Sequence, residues 1–251
     1  MLTKEEIKRL AKLNKIKPYQ QEKHYIQTLI LRSIYSDYDL VFKGGTALMF
    51  TSNLPRFSED LDFSNQKNNE LAKLPPRIKK DLELYGIPSS IKIISHHSDS
   101  YSFRLTAQGP LFTQELDQCF VRVEISSRET LVLKPNSFFI KPDYPNQLPF
   151  SIIVMDVSEI LAEKFRALLT RNKARDIYDI WFLLEHNIEI STNLINKKLK
   201  YYKMKFNKLQ IHDAIKAKKI LWERELRPII IGELPKFKKV ETKILEALAR
   251  F

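Results

Sequence analysis

The sequence contains little cysteine, little glycine and no long apolar run. Among its 251 residues Cys119 is the one cysteine, which excludes an internal disulfide and is typical of proteins from reducing compartments. No apolar segment approaches the roughly 20 residues that a membrane-spanning helix requires. Residues 1–6 are charged and lack the apolar region of a signal peptide. From these absences we expect a cytoplasmic protein that does not contact a membrane.

Positive charge is in excess, and most of the excess lies near the C-terminus. The net charge is +12, and residues 197–251 contain 16 lysines and arginines against 6 acidic residues, whereas residues 1–196 contain 26 against 24. Residues 197–206 mix lysines with aromatic residues, which suits contact with RNA phosphates and bases. A solvated amphipathic helix would give the same pattern, so RNA binding by this segment is one of two interpretations.

Two of the five glycines are adjacent, in the tetrapeptide Lys43-Gly44-Gly45-Thr46. A glycine turn leaves backbone N–H groups unobstructed, and the threonine adds a hydroxyl, so this sequence suits a phosphate group. A helix that begins at Thr46 would direct its positive N-terminal end at the same anion. Adjacent glycines alone are more often an ordinary tight turn, so a phosphate site needs support from other residues.

Two aspartates lie downstream of the glycines at a spacing that brings their side chains together. Asp60 and Asp62 lie beyond a gap of 13 residues after Thr46, and residues two apart in a strand face the same side of the sheet. Carboxylates this close repel each other unless they share a proton or a cation, and magnesium is the usual cation beside phosphates. Glu124, on the polar face of an alternating strand, is the candidate third ligand. An ion pair with Arg122 or Arg128 is the alternative role for Glu124.

The periodicity of apolar residues predicts an α/β first part, residues 1–155, and a helical, basic second part, residues 156–251. Helices are expected over residues 3–13, with Thr3 and Glu6 as a capping box, and over Pro18–Tyr35. A short strand at 39–42, a helix from Thr46 and a helical pattern over 65–87 are also expected. Further strands are predicted at Leu61–Ser64, 91–97, 101–107 and Cys119–Ser126. Prolines predict an irregular connection over 137–150, and the clearest later helices are 159–172 and 174–185.

Together these motifs resemble the AbiEii/AbiGii toxin family, within the DNA polymerase β-like nucleotidyltransferase superfamily. The resemblance lies in residues 42–48 and 56–63 and in a downstream segment, 163–168 with 175–180. In order and spacing it covers about residues 22–184. It implies an α+β fold: a polymerase β-like nucleotidyltransferase core with a small mixed sheet, followed by a helical C-terminal part.

The resemblance also implies roles for individual residues. Gly44, Gly45 and Thr46 would hold the phosphates of a nucleoside triphosphate, and Lys43, Arg56 and Ser58 would touch phosphate as well. Asp60 and Asp62 would bind magnesium, with two ions expected, and Glu124 stands where the family usually has an aspartate. Lys164 would contact the triphosphate and take part in catalysis together with a partner acid, Asp179 or Asp176. Purely structural helix salt bridges are the alternative for these last acids.

The function implied by the resemblance is that of a magnesium-dependent nucleotidyltransferase toxin from a bacterial toxin–antitoxin or phage-defence system. It would transfer a nucleoside monophosphate to an acceptor, with RNA such as tRNA expected, and a cognate antitoxin would be encoded nearby. One alternative is a small-molecule enzyme of the aminoglycoside-modifying type, against which the basic C-terminal part argues. The other is a catalytically silent nucleotide- or RNA-binding module, which has no need for adjacent repelling carboxylates.

Overall fold

The computed structural model describes residues 1–66 and 70–250, which separate into two units. The first unit comprises Met1–Thr51, Glu59–Thr130 and Pro135–Val154. The second comprises Ser52–Ser58, Leu131–Lys134 and the chain from Met155 onward. The division into domains 1–155 and 156–251 stays a prediction, and the two units differ from it in assigning two short segments to the C-terminal part.

The first unit is built on one seven-stranded mixed sheet. Its strands are β1 (Val41–Lys43), β2 (Leu61–Ser64), β3 (Ser89–His97), β4 (Ser100–Ala107), β5 (Cys119–Ser126), β6 (Asn136–Ile140) and β7 (Phe150–Val154). Their order across the sheet is β3-β4-β5-β2-β1-β7-β6. The pairs β2–β5 and β1–β7 are parallel, and the other neighbours are antiparallel. The short central strands β1 and β2 carry the glycine and aspartate motifs.

Helices cover the apolar face of this sheet. They are α1 (Lys4–Leu13), α2 (Pro18–Tyr35), α3 (Gly44–Ser52) and α4 (Leu74–Leu84). Alternation in β5 buries Val121, Val123 and Ile125 while Arg122 stays exposed, which leaves one face of the sheet polar. Phe42 and Phe63 stack within the core at a centroid distance of 5.1 Å. The buried aromatic pair thereby joins β1 to β2 behind the polar face.

The second unit is helical. Its helices are α5 (Val157–Thr170), α6 (Arg175–Glu185), α7 (Thr192–Leu199), α8 (Lys208–Ala217), α9 (Trp222–Leu226) and α10 (Phe237–Ala249). The segment Ser52–Ser58 is held to this unit by backbone bonds, because the Phe57 N–H donates to the Ile229 carbonyl at 2.6 Å. The Ile231 N–H donates to the Pro55 carbonyl at 2.9 Å. These two bonds place Arg56 beside the helices.

The predicted α+β fold is confirmed, and several predicted element boundaries are exact or nearly so. Pro18–Tyr35, Leu61–Ser64 and Cys119–Ser126 occur as predicted, and the capping box of Thr3 and Glu6 is present. The helix expected from Thr46 instead begins at Gly44. The helical pattern over 65–87 is realised as a short 3-10 turn, Leu71–Lys73, followed by α4, and its residues 67–69 lie outside the described part.

One prediction about the sheet is wrong. The prolines predict an irregular connection over 137–150, but β6 occupies its first part and pairs antiparallel with β7. The prolines at 135 and 142 flank β6 without entering it, and β6 is an edge strand, where a missing N–H is tolerated. Within the described ranges, each helix is too short or too polar to traverse a bilayer.

Candidate active site

Gly44 and Asp62 approach each other closely where β1 ends. Lys43 is the register partner of Asp62 in the antiparallel pair β1–β2, so Gly44 follows directly beside that carboxylate. Gly44 has φ +77°, in the left-handed region that favours glycine. A Cβ at this position would lie 2.5 Å from Oδ2 of Asp62. Glycine is therefore required here both by the backbone conformation and by the space that the carboxylate occupies.

Thr46 ties the start of α3 to the residue before β2. Its side chain is fully buried, and its hydroxyl donates a short hydrogen bond to the backbone carbonyl of Asp60. This bond links Thr46 to Asp60, and contact between the Thr46 hydroxyl and a phosphate stays a prediction. The backbone N–H groups of the first helical turn, from Gly44 to Thr46, have no intrahelical acceptor and point toward the N-terminal end of α3. Those N–H groups are what this turn offers an anion.

Glu124 lies beside Asp62 on the neighbouring strand. The parallel pair β2–β5 places Asp62 opposite Glu124, so the two side chains face the same side of the sheet. Burial raises the pKa of Glu124, the nearby Asp62 and Asp60 raise it further, and Arg122 lowers it. The Nε atom of Arg122 lies 2.8 Å from Oε1 of Glu124. The ion pair given as the alternative role is therefore present, alongside the predicted proximity to both aspartates.

We call Asp60, Asp62 and Glu124 the carboxylate cluster, and its donor chemistry fits a hard divalent cation. Magnesium prefers carboxylate oxygens together with phosphate and water oxygens, and this cluster consists of carboxylates only. Asp62 Oδ2 lies where a side chain on Gly44 would otherwise stand. As the side chains stand, no three acidic, histidine or cysteine groups among residues 1–66 and 70–250 converge in metal-binding geometry. One or two protein carboxylates, completed by phosphate and water oxygens, suffice to bind magnesium.

Lys43 is the buried cation of the first unit's site. All three residues of β1 are buried, and the Nζ atom of Lys43 lies 3.8 Å from Oε2 of Glu129, which is also buried. Lys43 sits opposite Asp62 in the sheet register. Its positive charge is thus placed in the same row of the sheet as the carboxylates.

The second unit brings the other predicted site residues into one ion-pair network, defined by Arg56, Lys164, Asp176 and Asp179. Arg56 binds Asp179 through two hydrogen bonds, 2.6 Å from Nε and 2.7 Å from Nη2. Nζ of Lys164 lies 2.6 Å from Asp179 and 3.6 Å from Asp176. Arg171 closes the network on Asp176 at 2.7 Å. All four defining side chains are buried.

The network keeps both aspartates ionised. Burial by itself would raise the pKa of Asp179, but Arg56 and Lys164 outweigh it and lower that pKa to about 2. The pKa of Asp176 is likewise lowered, because Arg171 and Lys164 outweigh its burial. A buried arginine or lysine is tolerated only with such partners. Lys164 therefore pairs with both of its candidate partner acids.

Two features of this unit are missed or misread from the sequence. Arg171 is not singled out there, and its position five residues before Asp176 gives no periodic signal. Lys198 belongs to the lysine-rich segment 197–206, for which RNA contact is one of two interpretations. It is buried and bonded to Glu159 at 2.6 Å and to Glu163 at 3.3 Å. Glu159 also accepts hydrogen bonds from the backbone N–H groups of residues 132 and 133. Lys198 is thus a structural cation and is removed from the predicted RNA-binding set. Ser58, the remaining predicted residue, is buried.

Solved structures share this fold over most of their length. MenT4, a nucleotidyltransferase toxin from Mycobacterium tuberculosis H37Rv, superposes with a TM-score of 0.66 at 20% identity, covering 99% of this chain and 89% of that one. JHP933 from Helicobacter pylori superposes with a TM-score of 0.61 at 19% identity, covering 92% of this chain and 90% of that one. The comparison with curated proteins returned no match. At these identities the likeness establishes the fold.

The family follows from the sequence itself. Residues 30–246 match the model of the family described as "Nucleotidyl transferase AbiEii toxin, Type IV TA system". This match spans most of the chain, so the protein belongs to the AbiEii family of nucleotidyltransferase toxins. The predicted family and enzyme class are thereby confirmed. Membership implies a nucleoside triphosphate substrate and a cognate antitoxin.

Proposed function

We propose that this protein transfers a nucleoside monophosphate from a nucleoside triphosphate to RNA of the tRNA class, with magnesium as cofactor. The observation that carries the proposal is the position of Asp62, between the Gly44 backbone on one side and Glu124 on the other. A phosphate-binding helix start and two or three carboxylates side by side are what nucleotidyl transfer needs from a protein. A silent binding module would have no use for the repulsion within the carboxylate cluster.

Some residues of the first unit bind the nucleoside triphosphate and its metal ions, and one accepts the proton of the attacking hydroxyl. The backbone N–H groups of Gly44, Gly45 and Thr46 bind triphosphate oxygens at the positive end of α3. Asp60, Asp62 and Glu124 would hold two magnesium ions, which when bound lower the pKa of the attacking hydroxyl and neutralise phosphate charge. Glu124 also lies beside Asp62 on the neighbouring strand, where it can accept the proton of that hydroxyl.

The reaction is a displacement at the α-phosphorus. The oxygen of an acceptor hydroxyl forms the new P–O bond, the bond to the β-phosphate oxygen breaks, and pyrophosphate leaves with the electron pair. Roles for Lys43, Arg56, Ser58 and Lys164 in contacting the nucleotide stay predictions. So do catalytic roles for Asp176 and Asp179, whose charges balance Arg56 and Lys164 within the second unit.

The biological setting follows from the family, and we propose its details. The protein would arrest growth by modifying RNA, and an antitoxin encoded nearby would counteract it. Defence against phage is one use of such a system. The net charge of +12 favours a polyanionic acceptor over a polycationic drug.

The acceptor is tested by incubating the protein with magnesium and each of the four NTPs, labelled at the α-phosphate, together with total tRNA. We expect label on the RNA with at least one nucleotide. Label on an aminoglycoside but not on RNA would favour the small-molecule alternative. Nucleotide binding without transfer to any acceptor would favour the silent module.

Asp60→Asn tests whether the carboxylate cluster performs this transfer. The variant should lose both RNA labelling and growth arrest on expression, while its unfolding transition stays close to that of the parent. Asp213→Asn is the matched control, because it removes an exposed carboxylate from α8 and should leave activity intact. An Asp60→Asn protein as toxic as the parent would refute the assignment.

A further inference from the structure

Three basic residues form a row across the polar face of the sheet. In the antiparallel pairs β3–β4 and β4–β5, Lys92 lies opposite Arg104, and Arg104 lies opposite Arg122. All three side chains are exposed. Directly opposite residues share one face of a sheet, so we call Lys92, Arg104 and Arg122 the basic row. No single stretch of the sequence contains it, because each residue comes from a different strand.

The basic row places like charges opposite each other on paired strands. Like charges directly opposite each other on paired strands are destabilising. Arg122 is balanced by Glu124 at 2.8 Å. By contrast, neither Lys92 nor Arg104 has a carboxylate partner within the described residues 1–66 and 70–250. Two neighbouring cations are therefore available to a negatively charged ligand.

An exposed aromatic ring adjoins the basic row. Phe120 is 41% exposed, and the guanidinium carbon of Arg104 lies 5.4 Å from its ring centroid. Single-stranded nucleic acids bind where cations track the backbone and where aromatic rings or guanidinium planes stack on bases. Phe120 and Arg104 offer both surfaces at one place.

The basic row also lies next to the carboxylate cluster. Arg122 precedes Glu124 by two residues on the same face of β5, which is about 7 Å along the strand. From Arg122 to Lys92 the row crosses two strand spacings, about 10 Å. A chain end that reaches Glu124 and Asp62 from the β3 side of the sheet would therefore pass over these cations.

We propose that Lys92, Arg104 and Phe120 bind the single-stranded end of the acceptor RNA, an assignment that rests on the proposed function. Lys92 and Arg104 neutralise backbone phosphates, and Phe120 stacks on a base. Arg122 stays with Glu124 and orients that carboxylate. The lysine-rich segment 197–206 is the competing surface, but it is weakened as a candidate because Lys198 is buried in ion pairs.

Binding of a fluorescent single-stranded RNA oligonucleotide by anisotropy, over a range of salt concentrations and without nucleotide, tests this surface. Each neutralised phosphate of a single strand contributes about 0.7 to the slope of log Kd against log salt, so Lys92→Gln/Arg104→Gln should lower the slope by about 1.4. At 0.15 M salt that change corresponds to about tenfold weaker binding. Phe120→Leu should weaken binding about tenfold through lost stacking, with the parental slope.

Lys8→Gln/Lys12→Gln is the matched control, because it removes the same charge from exposed positions of α1 in the same unit. We expect it to keep the parental slope. The proposal is overturned if the Lys92/Arg104 variant keeps the parental slope, if the control loses as much, or if the parent does not bind the oligonucleotide. Failure of the proposed function is distinguishable: RNA binding would still depend on Lys92 and Arg104 while no label is transferred to RNA.

Discussion

Replacing Gly44 with alanine perturbs the candidate site at one side chain, that of Asp62. The new Cβ would lie 2.5 Å from Oδ2 of Asp62, whereas ordinary contacts begin near 3.4 Å. The carboxylate of Asp62 must therefore retreat by roughly 0.9 Å, the difference between these distances. A misplacement of about 1 Å at a reacting centre lowers turnover by about 100-fold. We expect a loss of that size in the kcat for label transfer to RNA.

The same substitution also affects stability, and a second glycine separates the two effects. Gly44 has φ +77° and Gly86 has φ +72°, so alanine at either position is strained by about 1–2 kcal/mol in the left-handed region. At Gly86, however, the nearest atom to a new Cβ is 3.9 Å away, on Met1. Urea unfolding should show destabilisation of both variants, larger for Gly44→Ala because it also displaces Asp62, and only Gly44→Ala should lose activity. Parental kcat in folded Gly44→Ala would refute the inferred contact with Asp62.

Three further predictions concern buried polar groups. Asp179→Asn should lower the free energy of unfolding by about 3–5 kcal/mol near neutral pH, because it breaks a buried pair. Since the pKa of Asp179 is about 2, below its ordinary 3.8, this contribution is complete above pH 4 and falls as the pH drops through 2. A difference in unfolding free energy between variant and parent that does not change with pH would contradict this prediction. Thr46→Val should lower the free energy of unfolding in urea by about 1–2 kcal/mol and reduce transfer, because it removes the hydroxyl that donates to the Asp60 carbonyl. Thr46→Ser keeps this hydroxyl and should keep parental stability and transfer. Lys198→Met should lower the free energy of unfolding by about 3 kcal/mol, because it removes one partner of a buried ion pair. The side chain of Lys197 is exposed, so Lys197→Met should lower it by less than about 0.5 kcal/mol. Equal effects of the two substitutions would contradict the buried pair.

Local signals made much of the fold predictable. The capping box at Thr3, the proline at the start of α2 and the strict alternation in β5 each act within a few residues, so their elements could be bounded from the sequence. Strand β6 could not be predicted from the sequence, because its neighbouring prolines indicate a loop and its pairing with β7 exists only in the folded sheet. Edge strands that depend on one partner carry the weakest sequence signal.

The candidate site divides in the same way. The residues of the carboxylate cluster could be named from their spacing and from the family resemblance. The hydrogen-bond partners of these residues could not be named from the sequence. The bond from Thr46 to the Asp60 carbonyl, for example, depends on long-range packing. Register between strands likewise creates the basic row, which no periodicity within one strand reveals. The burial of Lys198 could not be predicted, because a lysine in a lysine-rich helix is usually exposed to solvent.

The central claim is that the carboxylate cluster transfers the nucleoside monophosphate portion of an NTP. The most direct measurement compares NTP labelled at the α-phosphate with NTP labelled at the γ-phosphate, using tRNA as acceptor, with magnesium or with a chelator. We expect that only the α-label appears on RNA, and that both the chelator and the Asp62→Asn substitution abolish this labelling. Transfer of γ-label to RNA, or α-label transfer by folded Asp62→Asn at the parental rate, would refute nucleotidyl transfer by the carboxylate cluster.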